Sequence, residues 1–265
     1  MKPAPFEYEA PYTLDEALFL LDEDSRPLAG GQSLMPLLNF RIARPQRLVD
    51  LNRIEELAYL RRRDGSLHIG ALTRQAVLER SRLVARHWPL LAQTIPHVGH
   101  PQVRTRGTIG GSVAFAEPSA ELPVALTALD ARFHVRSSGD ARLLTADELL
   151  VGPLMTALEP DELLVEIEVP PLPAGARTAF AEYAETHGDF AIAGAAVVVA
   201  PGEHAAIALM GASSTPVRAH DAERALVEGA DVASTAELAA ELAPEGHRRA
   251  LVAALVREAL EAATG

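Results

Sequence analysis

The sequence predicts an α+β chain of two lobes, and three observations lead there. At 265 residues it is longer than one small hydrophobic core usually organises. Up to residue 170, short apolar runs typical of strands are interleaved with stretches of helical period. Then PPLPAG (170–175) places three prolines and a glycine in six residues, which stops helix and strand alike. Beyond it the texture changes to longer apolar strands and alanine-rich helices. The expected division is 1–172 and 173–265, a larger lobe built as two α/β subdomains and a smaller one in which an antiparallel sheet is packed with helices.

Along the chain, TLDE (13–16) is a capping box that starts a helix carrying Leu14, Ala17, Leu18 and Leu21. Pro27-Leu28-Ala29 ends a short strand. SLMPLLNF (33–40) reads as a helical turn broken near Pro36. RLVDL (47–51) and LHIG (67–70) are strands. TRQAVLERS (73–81) is a helix capped by Thr73, and PLLAQTI (89–95) is another. PHVGHPQVRTRG (96–107) reads as an irregular link. PSAELPVALTALD (118–130) is a helix with Pro118 near its first turn, where a missing N–H costs nothing. ARFHVRS (131–137) and LLVEIEVP (163–170) are strands, the second alternating Val165, Ile167 and Val169 with acidic residues. In the smaller lobe RTAFAEY (177–183), AAVVVA (195–200) and AAIALMG (205–211) are antiparallel strands. VASTAELAAELA and GHRRALVAALVREALEAA are helices.

Composition narrows function. A formal net charge of −12 argues against a nucleic-acid partner, because phosphate backbones need a basic face. It leaves small anions open, since backbone N–H groups bind these without net positive charge. There are no cysteines, so the chain has no disulfide, no thiolate nucleophile and no cysteine-ligated iron–sulfur cluster. No apolar run reaches the roughly 18–20 residues that span a bilayer. The N-terminal stretch has no apolar signal region, and a cytoplasmic location is expected.

Two glycine doublets remain, AGGQSL (29–34) and GTIGGS (107–112). Glycine reaches positive φ cheaply and lets a ligand approach the backbone. A strand–glycine–helix passage also turns free N–H groups outward, a phosphate-binding arrangement. Two such loops can face one pyrophosphate, but glycine doublets are common in tight turns required only for packing. GxGxxG, GxxxxGK[ST] and GxSxG are all absent, so neither a Rossmann fingerprint, a P-loop nor a nucleophile elbow is present. GTIG fits the GxxG of a nucleic-acid clamp, against the acidic balance.

AGGQSLMPLLNFRIARPQRLVDL (29–51), IGALTRQ (69–75) and HPQVRTRGTIGGSVAFAEPSAELP (100–123) closely resemble the FAD-binding medium subunit of the molybdenum hydroxylases, the family of aerobic carbon monoxide dehydrogenase and relatives of xanthine dehydrogenase. HGDFAIAG (187–194) and GASSTPVRAHDAERAL (211–226) resemble its C-terminal lobe. The resemblance implies an FAD-binding fold of the vanillyl-alcohol oxidase and p-cresol methylhydroxylase type. It implies an electron-transfer subunit with FAD as cofactor and no catalytic residue or metal ligand of its own. Its partners would be a molybdopterin-binding large subunit and a small subunit with two 2Fe-2S clusters, assembled as a dimer of heterotrimers. A self-sufficient flavin oxidoreductase acting on a small molecule is the alternative. By position, Ala29, Gly30, Gly31, Gln32, Ser33 and Leu34 would line the pyrophosphate. Thr108, Ile109, Gly110, Gly111 and Ser112 would form the second loop, Val98 would lie against the cofactor, and Glu121 would bind the ribose hydroxyls as a carboxylate. EYAET (182–186) departs from the family, which often has two arginines there.

Other residues carry paired readings. His97 and His100 are three apart with no third ligand in view, so they read as loop hydrogen-bonders rather than zinc ligands. Arg104 and Arg106 either neutralise phosphate or are solvated. Trp88 reads as core. Tyr59 and Tyr183 either approach the flavin ring or pack. Glu117 favours the start of the helix after it.

Overall fold

The structure is a computed structural model that describes residues 2–265. Strands β1 (Glu7–Glu9), β2 (Ser25–Leu28) and β3 (Arg47–Asp50) form a parallel sheet with β3 in the middle. The helix Leu14–Leu20 packs on it, and Thr13 and Glu16 form the expected capping box. A second, antiparallel sheet contains β4 (Leu60–Arg63), β5 (Ser66–Gly70), β6 (Arg132–Arg136) and β7 (Ala141–Leu144). A two-stranded ribbon comes next, β8 (Leu150–Gly152) and β9 (Met155–Thr156), and then β10 (Leu163–Val169). β10 inserts at the centre of the second sheet, giving the order β4-β5-β10-β6-β7.

The alternation read in 163–170 has a direct consequence. Ile167 and Val169 join Leu67, Ile69, Phe133 and Val135 in the main core, under the helices Pro89–Thr94, Ile109–Phe115 and Glu121–Ala128. Glu166 and Glu168 therefore fall on the opposite face. A bulge between Leu164 and Glu166 shifts the alternation by one residue. Leu163 and Val165 thus turn toward the helix Leu14–Leu20 and pack with Leu14, Ala17 and Leu18.

Past Pro170–Ala176, which holds neither strand nor helix, β11 (Arg177–Tyr183), β12 (Ala193–Ala200), β13 (His204–Met210) and β14 (Val217–Arg218) make an antiparallel sheet in chain order. Every residue of β12 is buried. Ala196, Val198, Ala206 and Ala208 face the main core. Val197, Val199, Ile207 and Leu209 face the helices Val232–Ala240 and His247–Thr264. The sheet is thus covered on both faces, and each fully buried Val, Leu or Ile adds about 1.5–3 kcal/mol. Polar ties reinforce the join. Trp88 Nε1 donates to the Pro170 carbonyl at 2.7 Å, and Arg218 pairs with Asp130 at 2.5 Å and with Glu223.

Several local expectations are corrected. Pro36 lies in the first turn of an unbroken helix, Leu34–Asn39, where proline is tolerated. Thr73 caps nothing; its hydroxyl donates to the Tyr59 carbonyl, and the helix is the shorter Gln75–Glu79. The link 96–107 contains the helix Pro101–Arg106. Pro118 stands outside the helix Glu121–Ala128, which starts after Ala120.

Candidate functional site

Both glycine doublets line one cleft of about 910 Å³, a size typical of cofactor sites. AGGQSL leaves β2 and enters the helix Leu34–Asn39. Gly31 takes φ +75°, the left-handed turn that glycine permits. Among the described residues, the N–H groups of Gly30, Gly31, Gln32, Ser33 and Leu34 find no acceptor. This run of unspent donors suits the oxygens of a phosphate.

The second doublet works differently. Gly110 and Gly111 sit in the first turn of the helix Ile109–Phe115, capped by Thr108, whose hydroxyl accepts from the Gly111 N–H at 3.1 Å. Neither has positive φ. A Cβ on Gly110 would stand 2.7 Å from the Ala71 carbonyl oxygen and 2.8 Å from its Cα. The Gly110 N–H donates to that same oxygen at 2.9 Å. The glycine is demanded by the chain's own backbone, so the expected reason, positive φ, is corrected to close packing.

The two loops also touch. A Cβ on Gly30 would collide with the Arg106 carbonyl oxygen and lie 2.8 Å from the Gly107 Cα. Asn52 and Arg74 brace the junction. Asn52 Nδ2 donates to the Ala29 carbonyl at 2.8 Å, and Arg74 donates to Asn52 Oδ1 at 2.5 Å and to the Arg106 carbonyl.

Ala29, Gly30, Gly31, Gln32, Ser33, Leu34, Val98, Thr108, Gly110, Gly111, Ser112 and Glu121 all line this cleft. Ile109 does not: it is fully buried in the main core and anchors the helix. The cleft also takes in Gln75, which sequence reasoning passed over although it ends the IGALTRQ stretch. Gln75 is 4% exposed and its Oε1 has no hydrogen-bond partner. A buried unpaired carbonyl lining a cleft marks a position that a ligand donor can satisfy. Glu117, Glu185, Asp189 and Phe190 line it as well.

Glu121 is 7% exposed at the start of its helix. Burial pushes its carboxyl up to about 7; the charge of Glu182 adds to this and His97 opposes it. The carboxyl is thus poised between neutral and ionised near neutral pH, not the plain carboxylate expected, and can donate as well as accept. Beside it, His97 Nδ1 lies 3.0 Å from Glu182 Oε1. That hydrogen bond raises the His97 pKa against the opposing effect of burial. Glu182, in the segment that departs from the family, is therefore a buried partner of His97.

Other sequence candidates leave the cleft. Arg104 is buried and neither solvated nor free for phosphate. It forms a two-pronged pair with Glu79 and donates to the carbonyls of Val98 and Gly99 at 3.2 and 3.1 Å. Tyr59 hydrogen-bonds Glu166 on the far face of the second sheet. Trp88 is core, at 1% exposed.

Comparison with known proteins agrees with this geometry. The model of the FAD binding domain in molybdopterin dehydrogenase matches residues 4–172. The 6-hydroxypseudooxynicotine dehydrogenase complex subunit alpha of Paenarthrobacter nicotinovorans is 43% identical over 251 residues, covering 90% of this chain and 85% of the relative. The carbon monoxide dehydrogenase medium chain of Hydrogenophaga pseudoflava is 37% identical over 250 residues, covering 92% and 87%. Among solved structures, carbon monoxide dehydrogenase from H. pseudoflava lacking the Mo-pyranopterin moiety superposes with a TM-score of 0.93 at 37% identity, covering 99% of this chain and 98% of that one. The chain therefore belongs to the family of FAD-binding medium subunits of the molybdenum hydroxylases, an oxidoreductase subunit whose cofactor is FAD.

Proposed function

We propose that this chain is the electron-transfer subunit of a heterotrimeric molybdopterin hydroxylase or dehydrogenase, taking electrons from an iron–sulfur subunit and passing them to an external acceptor. The partners are a molybdopterin-binding large subunit and a small subunit with two 2Fe-2S clusters, in a cytoplasmic dimer of heterotrimers. The observation that carries this reading is the run of five unspent N–H groups beside the abutting glycine loops. Its donors and close backbone approach fit a pyrophosphate.

In this reading Gly30 to Leu34 hold the pyrophosphate from one side, and Thr108, Gly110, Gly111 and Ser112 close it from the other. Ile109 anchors that second loop through the core. Glu121 takes the ribose hydroxyls, Gln75 Oε1 accepts from a cofactor donor, and Val98 supplies apolar contact. FAD supplies the one- and two-electron redox chemistry, so the chain needs no nucleophile of its own. The chain's own residues bind, orient and exclude water. The FAD-binding unit is assigned to 1–172 and the C-terminal α+β unit to 173–265. With no cysteine, the clusters must lie on another chain. Phe40 and Ile42, 68% and 72% exposed, lie between the cleft residues Leu37 and Ala43 in the chain and offer that partner an apolar contact.

The experiment is reduction of the FAD-loaded chain with and without its co-expressed partners. Bleaching of the flavin by the complex's substrate only when the partners are present is expected. Reduction of the isolated chain by a small substrate would replace this reading with a self-sufficient oxidoreductase.

A further inference from the structure

The face of the second sheet opposite the main core carries a cluster that the cofactor cleft does not use. Strand register brings it together: Glu168 pairs with His68 across β10 and β5, and Glu166 with His134 across β10 and β6. With a two-residue repeat these four side chains share one face. His68 Nδ1 is 2.9 Å from Glu166 Oε1. His134 Nε2 is 3.4 Å from the same oxygen and 3.1 Å from Glu168 Oε2. One ligand atom each from His68, Glu166 and Glu168 lies within 4.8 Å of the others.

We propose that His68, His134, Glu166 and Glu168 form a binding site for one divalent transition-metal ion of the zinc type. A tetrahedral ion with ligands at about 2.0–2.1 Å has ligand–ligand edges of about 3.3 Å, close to the three His–Glu separations of 2.9, 3.4 and 3.1 Å; His68, Glu166 and Glu168 are the three whose donor atoms all lie together, and His134 joins them through the two carboxylates. Imidazole and carboxylate are the donor types such an ion takes. The second carboxylate oxygen is already held: Tyr59 donates to Glu166 Oε2, and Arg61 lies 3.8 Å from it. That outer contact orients Glu166 so that Oε1 faces both histidines, as the outer partners of metal ligands do. His68 and Glu166 are 13% and 15% exposed at their side chains and His134 and Glu168 36% and 28%, so the cluster is shielded on one side only, and a cavity of about 730 Å³ reaching Glu166 and His134 gives an ion access. Bound there, the ion ties β5, β10 and β6 together.

The test is calorimetric titration of the chelator-treated, FAD-loaded full chain with zinc chloride. The expected result is one saturable ion per chain, with affinity at least about 30-fold weaker in the His68→Gln/His134→Gln variant at unchanged flavin content. Absence of saturable binding, or equal affinity in the variant, overturns the proposal. If the variant does not fold, X-ray absorption on the zinc-loaded wild type decides. Four nitrogen and oxygen ligands near about 2.0 Å with imidazole scattering support the site, and a shell without imidazole overturns it.

Discussion

The two glycine loops look alike in sequence and meet in space, yet glycine serves a different physical end in each. In AGGQSL, Gly31 makes a left-handed turn and the amides after it remain unspent. In GTIGGS, the doublet lies in regular helix, and Gly110 exists to let that helix press on Ala71. The helices beyond the loops differ too. Leu38 is the buried residue of the helix Leu34–Asn39, whereas the helix Glu121–Ala128 is buried throughout. One loop leaves its amides free, and the other spends them on the protein's own backbone and cap. A glycine doublet therefore does not by itself report what it is for.

The largest expected effect comes from the second loop. Gly110→Val drives side-chain atoms into the Ala71 backbone and should cost more than about 3 kcal/mol. Loss of soluble, folded chain is expected even with excess FAD, read by thermal melting and yield. A variant that melts like wild type would mean that the helix does not need this contact.

Next comes the buried acid. The folded chain holds the Glu121 proton up to about pH 7, whereas the ordinary value is 4.5. The folded state therefore binds more protons between these limits, and stability falls as pH rises through that window. The whole effect is about 3 kcal/mol. His97, also raised, acts in the same direction: its stabilising pair with Glu182 is lost as pH climbs through its raised pKa. In flavin-free protein, Glu121→Gln should flatten the decline in Tm between pH 5 and 8. An unchanged slope would place the pH dependence elsewhere.

Smaller effects separate the loops further. Gly31→Ala forces a Cβ into φ +75°, costing about 1–2 kcal/mol, with Met35 Cγ 3.2 Å from the added atom. It should weaken flavin retention while leaving a folded chain, the reverse of Gly110→Val. Thr108→Ala removes the cap on the Gly111 amide and should cost about 1 kcal/mol, visible as a modest fall in Tm.

The difference between the loops also marks where reading the sequence succeeded. Regular periodicity was legible: the capping box at Thr13, the alternation in β10, and β11 to β13 with the helices behind them. Each rests on contacts within a segment or on a repeated face. The two-loop cleft was legible through the paired motifs. Long-range effects were not. Ala71, about 40 residues before Gly110 in the chain, sets the need for that glycine. Arg104 looks like a phosphate ligand until Glu79 captures it. Gln75 looks like an ordinary helix residue until folding buries its carbonyl against the cleft. The charge state of Glu121 depends on Glu182, about 60 residues later on β11.

The central claim is that the cleft between the loops holds the FAD pyrophosphate, and Ser33→Asp tests it most directly. Ser33 sits at the N-cap of the helix Leu34–Asn39, half-buried, with no side-chain cap bond. Aspartate is favourable at that position for folding but sets a carboxylate against a phosphate. The measurement is FAD stoichiometry after gel filtration, with Tm recorded on the flavin-free chains. One FAD per wild-type chain, and at least about tenfold weaker retention in the variant at equal or higher flavin-free Tm, is the predicted result. Full FAD retention by Ser33→Asp would contradict the account and place the pyrophosphate away from this loop.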